Sequence, residues 1–88
     1  MRELDVVALS RDVVEQGLRA GDVGTVVHVH RGDAAFEVEF VTGSGRTLAV
    51  LTLPAGDLRS VRGDEILHTR LLSGADVRPG AGEPSPRR

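Results

Sequence analysis

Residues 23–30 and 35–41 carry the pattern that most restricts what this chain can become. Successive side chains of a β-strand point to opposite faces, so alternation of apolar residues with others defines one buried side. Val23, Thr25, Val27 and Val29 share a face of the first stretch, and Phe36, Val38 and Phe40 share a face of the second. Between them, Arg31-Gly32-Asp33-Ala34 has Gly-Asp at its centre, suited to a tight antiparallel turn. With Gly32 and Asp33 as the loop, Val29 falls opposite Phe36, Val27 opposite Val38 and Thr25 opposite Phe40. The other face then sets His28 against Glu37, Val26 against Glu39, and His30 diagonal to Glu37. A slip of one residue would turn an apolar face into water, so turn and pattern predict one register.

A chain of 88 residues has room for one domain, and a domain this small buries only about 60% of its unfolded surface. Cysteine is absent, which removes disulfides and thiolate metal sites as supplements to the core. No apolar run is long enough for a signal peptide or a membrane span, so the expected location is the cytoplasm. Residues 1–61 hold six arginines against nine carboxylates, whereas residues 62–88 hold five against four. A nucleic-acid module ordinarily concentrates basic charge on one face, and this predicted core is mildly acidic. The use of arginine without any lysine is accounted for by a GC-rich genome. Both aromatics, Phe36 and Phe40, are assigned to the interior, which leaves no stacking platform for bases and no aromatic groove for polyproline ligands.

Residues 5–9, Asp-Val-Val-Ala-Leu, read as a first strand apolar on both faces. Residues 13–20 read as a long loop over one end of the sheet with Leu18 plugged into the core; the other reading is a short helix capped by Asp12 and Glu15. Gly21-Asp22 turns the chain into the hairpin, and Gly24 marks a bulge or a close backbone approach. Two glycines in residues 42–46 suit a second tight turn, and residues 47–53 form a nearly all-apolar third long strand. Pro54 stops it, and Asp57 is placed to cap one helical turn before a last short strand at 58–61. The expected fold is all-β, a small five-stranded barrel over residues 3–61 with a long loop after the first strand. Residues 62–78 form a flexible C-terminal tail in which Ile66, Leu67, Leu71 and Leu72 make one apolar stripe if the segment is helical. Residues 79–88, of Gly, Pro, Ser and Arg character, are expected to be disordered.

His28 and His30 with Glu37 formally match a two-histidine, one-carboxylate ligand set. A structural metal wants a fourth ligand and an oriented second shell, so a cross-strand charge pair is the simpler reading and no metal or cofactor is expected. No serine or threonine sits in a nucleophile-elbow pattern. The glycines at 17, 21 and 24 precede a strand, whereas a phosphate loop requires a helix N-terminus. The two Arg-Gly-Asp triplets, at 31–33 and 62–64, read as turns. No enzymatic activity is expected.

Three blocks carry a family resemblance: residues 3–12 (Glu-Leu-Asp-Val-Val-Ala-Leu-Ser-Arg-Asp), residues 17–27 (Gly-Leu-Arg-Ala-Gly-Asp-Val-Gly-Thr-Val-Val) and Phe36-Glu37-Val38-Glu39-Phe40 with the apolar 48–53. Together they resemble a bacterial family of small domains of unknown function. Val14 stands where members of that family often have proline. The resemblance implies a Src-homology-3-like barrel and genes lying beside partner genes, some of them toxin-like. It supplies no catalytic residues. A looser likeness is to the small barrel in the β-subunit of nitrile hydratases, and residues 21–27 are similar to a motif of ribosomal and transcription-factor barrels. The expected function is therefore a non-catalytic protein-interaction module, an accessory or antitoxin-like partner of a protein encoded nearby. Its expected contacts are His28, Glu37 and Glu39 on the outer face and Ile66, Leu67, Leu71 and Leu72 in the tail. Two alternatives stand beside it: nucleic-acid binding through Arg11, Arg19, Arg31 and Arg46, and a structural piece of a homo-oligomer.

Overall fold

The computed structural model describes residues 1–72, and the tail readings for 73–78 and 79–88 lie outside the described residues. Five strands form one antiparallel sheet: β1 (Val6–Leu9), β2 (Val23–Val29), β3 (Ala35–Val41), β4 (Thr47–Pro54) and β5 (Leu58–Ser60). Their spatial order is β4-β3-β2-β1-β5, so β4 and β5 are its edges and the sheet is not closed by hydrogen bonds. One 3-10 turn, Ala55–Asp57, connects β4 to β5. The class and strand plan are those expected from the sequence. Among the described residues no helix is long and apolar enough to cross a membrane.

The sheet wraps one interior built from Val7, Leu9, Val13, Leu18, Val26, Phe36, Val38, Phe40, Leu53 and Leu58. In β1, Val7, Ala8 and Leu9 are all buried, as its uninterrupted apolar run predicts. On β3, Phe36, Val38 and Phe40 point inward and face Leu53, Leu51 and Ala49 of β4. Leu18 is buried too, held by a two-way backbone bridge with Val13. Residues 13–20 are therefore a folded loop with a single 3-10 turn, Val14–Gln16, that ends on left-handed Gly17. Asp12 does not cap it; its carboxylate accepts the Ala20 N–H at 2.9 Å.

The hairpin register holds near the turn and changes farther on. Val29 pairs with Phe36 and His28 with Glu37, as expected, but Val26 pairs with Val38 and Thr25 with Glu39. A β-bulge between Val26 and His28 adds one residue to β2, and that residue is Val27. The expected inner face of Val23, Thr25, Val27 and Val29 is thus corrected: Val26 is fully buried, whereas Val27 is 39% exposed. The expected pairings of Val27 with Val38, Thr25 with Phe40 and Val26 with Glu39 fall with it. The reason is steric and hydrophobic together. Strict alternation would place Val26 in water, and one extra residue allows both Val26 and Val29 to face the phenylalanine side of β3.

Gly24 explains why the phase shifts as it does. It is buried, and a Cβ built there would lie 2.6 Å from Val38 Cγ1, 2.9 Å from the Glu39 carbonyl oxygen and 2.9 Å from Phe40 Cε2. The close approach expected at this glycine is present, while the bulge lies three positions later. Two smaller corrections follow. Asp57 is the last residue of the 3-10 turn, not its cap, and its carboxylate binds Arg11 at 2.9 Å. The stripe predicted for a helix over 64–72 has no helix beneath it: a turn at 63–64 leads into chain without regular structure. The Gly24→Ala variant forces atoms apart in the centre of the core and should destabilise the domain by about 1–3 kcal/mol, read from the midpoint of urea unfolding.

Candidate functional site

The most connected polar arrangement among the described residues joins the loop between β1 and β2 to the segment that follows β5. The loop between β1 and β2 is closed by Gly21 N–H to the Leu9 carbonyl (2.8 Å) and Leu9 N–H to the Asp22 carbonyl (2.9 Å). This fixes Asp22 at the rim of the sheet, where its Oδ2 also accepts the Arg19 N–H at 2.8 Å. After β5, Glu65 receives two bonds from Arg59, at 2.9 and 3.0 Å, and one from the Arg62 N–H. The chain then runs back across the sheet's end. There Arg70 sets its guanidinium on Asp22 in a two-point fork, Nε to Oδ1 at 2.9 Å and Nη2 to Oδ2 at 2.6 Å. Nη2 also donates to the Gly17 carbonyl at 2.9 Å, and Nη1 to the Leu71 carbonyl at 3.0 Å.

Planar fork-to-carboxylate pairing is the strong form of an ion pair, and both partners here are largely shielded, at 24% and 19% side-chain exposure. Burial by itself pushes the Asp22 carboxyl up. The Arg70 hydrogen bond, the Arg19 N–H and the two arginine charges together outweigh it and hold the group below its ordinary value. Arg70 is raised in turn, first by its hydrogen bond to Asp22. Beside this clamp lies a groove of about 720 Å³, with Leu18, Val23, Phe40 and Leu48 on the sheet side and His68, Leu71 and Leu72 on the returning segment. A groove with an apolar floor and one polar anchor at its lip suits an apolar side chain or short peptide segment.

The expected contact residues do not gather in one place. Ile66, Leu67 and Leu71 are 90%, 59% and 74% exposed, while Leu72 is half-buried in the groove with Leu71 at its wall. Leu67 lines a second, smaller cleft with Val6 and Val61. His28, Glu37 and Glu39 line neither. On their own face, His30 Nε2 meets Glu37 Oε2 at 3.2 Å, the diagonal pair expected from the register. The rings of His28 and His30 stand edge to face with centroids 4.9 Å apart. Glu39 accepts the Thr47 hydroxyl at 2.6 Å. Among the described residues, no three histidine, aspartate or glutamate side chains converge as metal ligands.

Of the four arginines considered for nucleic acid, Arg11 is taken up by Asp57, and the other three form no ion pair among the described residues. Asp22 and Arg70, which hold the returning segment, carry no local sequence signal. One reads as a turn aspartate and the other as a lone charge in an apolar stretch, 48 positions apart.

In comparison with known proteins, the model of one family, described as Domain of unknown function (DUF4926), matches residues 3–60. No curated protein and no solved structure matches. The family match ends with the last residue of β5, so Arg70 and the segment that walls the groove lie beyond it.

The clamp makes an acid-dependent contribution to stability. Asp22 titrates below its ordinary 3.8 in the folded chain, so pairing stabilises fully above that value and is lost as pH falls through the lowered one. Thermal unfolding of wild type and Asp22→Asn should therefore differ most above about pH 5 and converge as the pH falls through the lowered Asp22 value. At neutral pH, trypsin cleavage after Arg70, followed by mass spectrometry, should be roughly tenfold faster in the variant because the segment opens locally.

Proposed function

The chain belongs to the family described as Domain of unknown function (DUF4926), and from that membership and the geometry above we propose that it is a non-catalytic protein-interaction module. In this reading it is an accessory subunit or antitoxin-like partner of a protein encoded nearby, in the cytoplasm of a bacterium. The strand order, with a 3-10 turn between β4 and β5, supports taking the domain as a Src-homology-3-like barrel.

One observation carries the proposal. Three large apolar side chains, Ile66, Leu67 and Leu71, stand in solvent on a segment that Arg70 pins to the domain. Exposed leucines on a loose chain end need no explanation, but exposed leucines beside a clamped arginine and a preformed groove make a surface that a partner can bury. The outer face bearing His28, Glu37 and Glu39 adds a polar rim in this reading, as protein interfaces commonly have. The Arg11–Asp57 pair withdraws one of the charges that nucleic-acid binding would use.

Affinity purification of the tagged chain from its native host tests the proposal. A stoichiometric protein partner should remain bound to a Val14→Asp variant, whose side chain is exposed on the β1–β2 loop, and be lost from Leu67→Asp/Leu71→Asp. Recovery of no stoichiometric partner, or a partner indifferent to both changes, rejects the assignment.

A further inference from the structure

The two edges of the sheet are built very differently. β5 is three residues long with a charge at its centre, Arg59. β4 is eight residues long, reads Thr-Leu-Ala-Val-Leu-Thr-Leu-Pro, and carries no charge anywhere along it. One side of β4 is paired with β3 over its whole length. On the other side no backbone hydrogen bond reaches residues 47–54 from any described residue. An edge strand offers a row of unpaired N–H and C=O groups, and proteins usually blunt it with charges, proline, brevity or a covering segment. Among the described residues such devices stand only at its two ends, Pro54 at one and, at the other, the irregularity that leaves Leu48 without a partner on β3, so residues 49–53 carry none.

We propose that β4 is a pairing edge for a second copy of this chain, joined antiparallel, β4 to β4, about a two-fold axis perpendicular to the sheet. Such an axis keeps interior faces together, so odd-numbered residues of one copy meet odd-numbered residues of the other. Either Leu51 faces its own counterpart with Val50 opposite Thr52, or Val50 faces its own counterpart with Leu51 opposite Ala49. Each register continues the half-buried apolar row of Ala49 and Leu51 across the junction and covers Val50, which is 50% exposed in one chain.

Charge selects the occupant. A strand bearing acidic or basic residues finds no counter-charge on β4, whereas an uncharged copy of the same strand meets no repulsion. The nearest like charges, Glu39 of both copies in the Val50 register and Glu39 with the other copy's Glu37 in the Leu51 register, would be separated by three strand spacings, about 14 Å, beyond the screening length of roughly 8 Å in physiological salt. The contact is isologous and closes on itself, so it gives a dimer with a ten-stranded sheet and no fibre.

This inference does not rest on the partner-binding reading, because it uses neither the clamp nor the segment 66–72. Sedimentation velocity of the full chain from about 10 µM to about 1 mM should show the mass rising to twice that of one chain. Val50→Lys/Thr52→Lys should raise the dissociation constant at least about tenfold, whereas Val6→Lys on β1 and Leu67→Asp/Leu71→Asp should leave it unchanged. Circular dichroism checks that each variant folds. Because the chain has no cysteine, single Val50→Cys and Leu51→Cys variants read the register directly, by which of them oxidises to a cross-linked dimer. A full chain that stays monomeric throughout the range, or a dimer untouched by the two lysines, overturns the proposal. So does amide-exchange protection along the outer edge of β4 in a monomer, since the chain would then cover that edge itself.

Discussion

Between Gly24 and the side chains of Val38 and Phe40 there is no room for a methyl group, and much of the architecture follows from that contact. Because β2 presents bare backbone at this point, β3 can lie close against it and bring Phe40 over the interior. The bulge at Val27 then restores the inward phase in time for Val29 to meet Phe36. Without the bulge, one apolar position on β2 would be lost to solvent. Without the glycine, β2 and β3 could not approach closely enough for the remaining side chains to fill a core that contains only two aromatic rings.

Asp22 plays a similar organising part at the rim. Its carbonyl ties the loop to β1, and its carboxylate gathers the Arg19 N–H and the Arg70 fork. The Arg19 N–H holds one oxygen of this carboxylate from within the loop, and the Arg70 fork engages both. The segment beyond the family domain is thereby attached through one well-formed polar anchor while its leucines remain largely outside.

The groove beside the clamp and the uncharged edge of β4 meet the solvent in different ways. The groove presents an apolar floor with the Asp22–Arg70 pair at its lip. The edge presents backbone groups on a strand without charge. Only Leu48 belongs to both, since the irregularity between Phe40 and Val41 sets it against the core at the groove while it remains in the edge strand.

Strand content, the two tight turns, the inward set Phe36, Val38 and Phe40, the buried Leu18 and the His30–Glu37 diagonal were all legible in the sequence. Each depends on interactions between near neighbours or on a period of two. The phase of β2 from Val23 to Val27 was not legible, because Val26 and Val27 are chemically identical and only the packing against β3 chooses between them. Nor was the path of 64–72, where spacing suited a helix but the chain has no regular structure and is held by the Arg70–Asp22 pair. Local chemistry thus determined the elements and their order. Tertiary structure decided which of two equivalent valines is buried and which distant aspartate meets the arginine, since both choices are energies of contact between segments far apart in the chain.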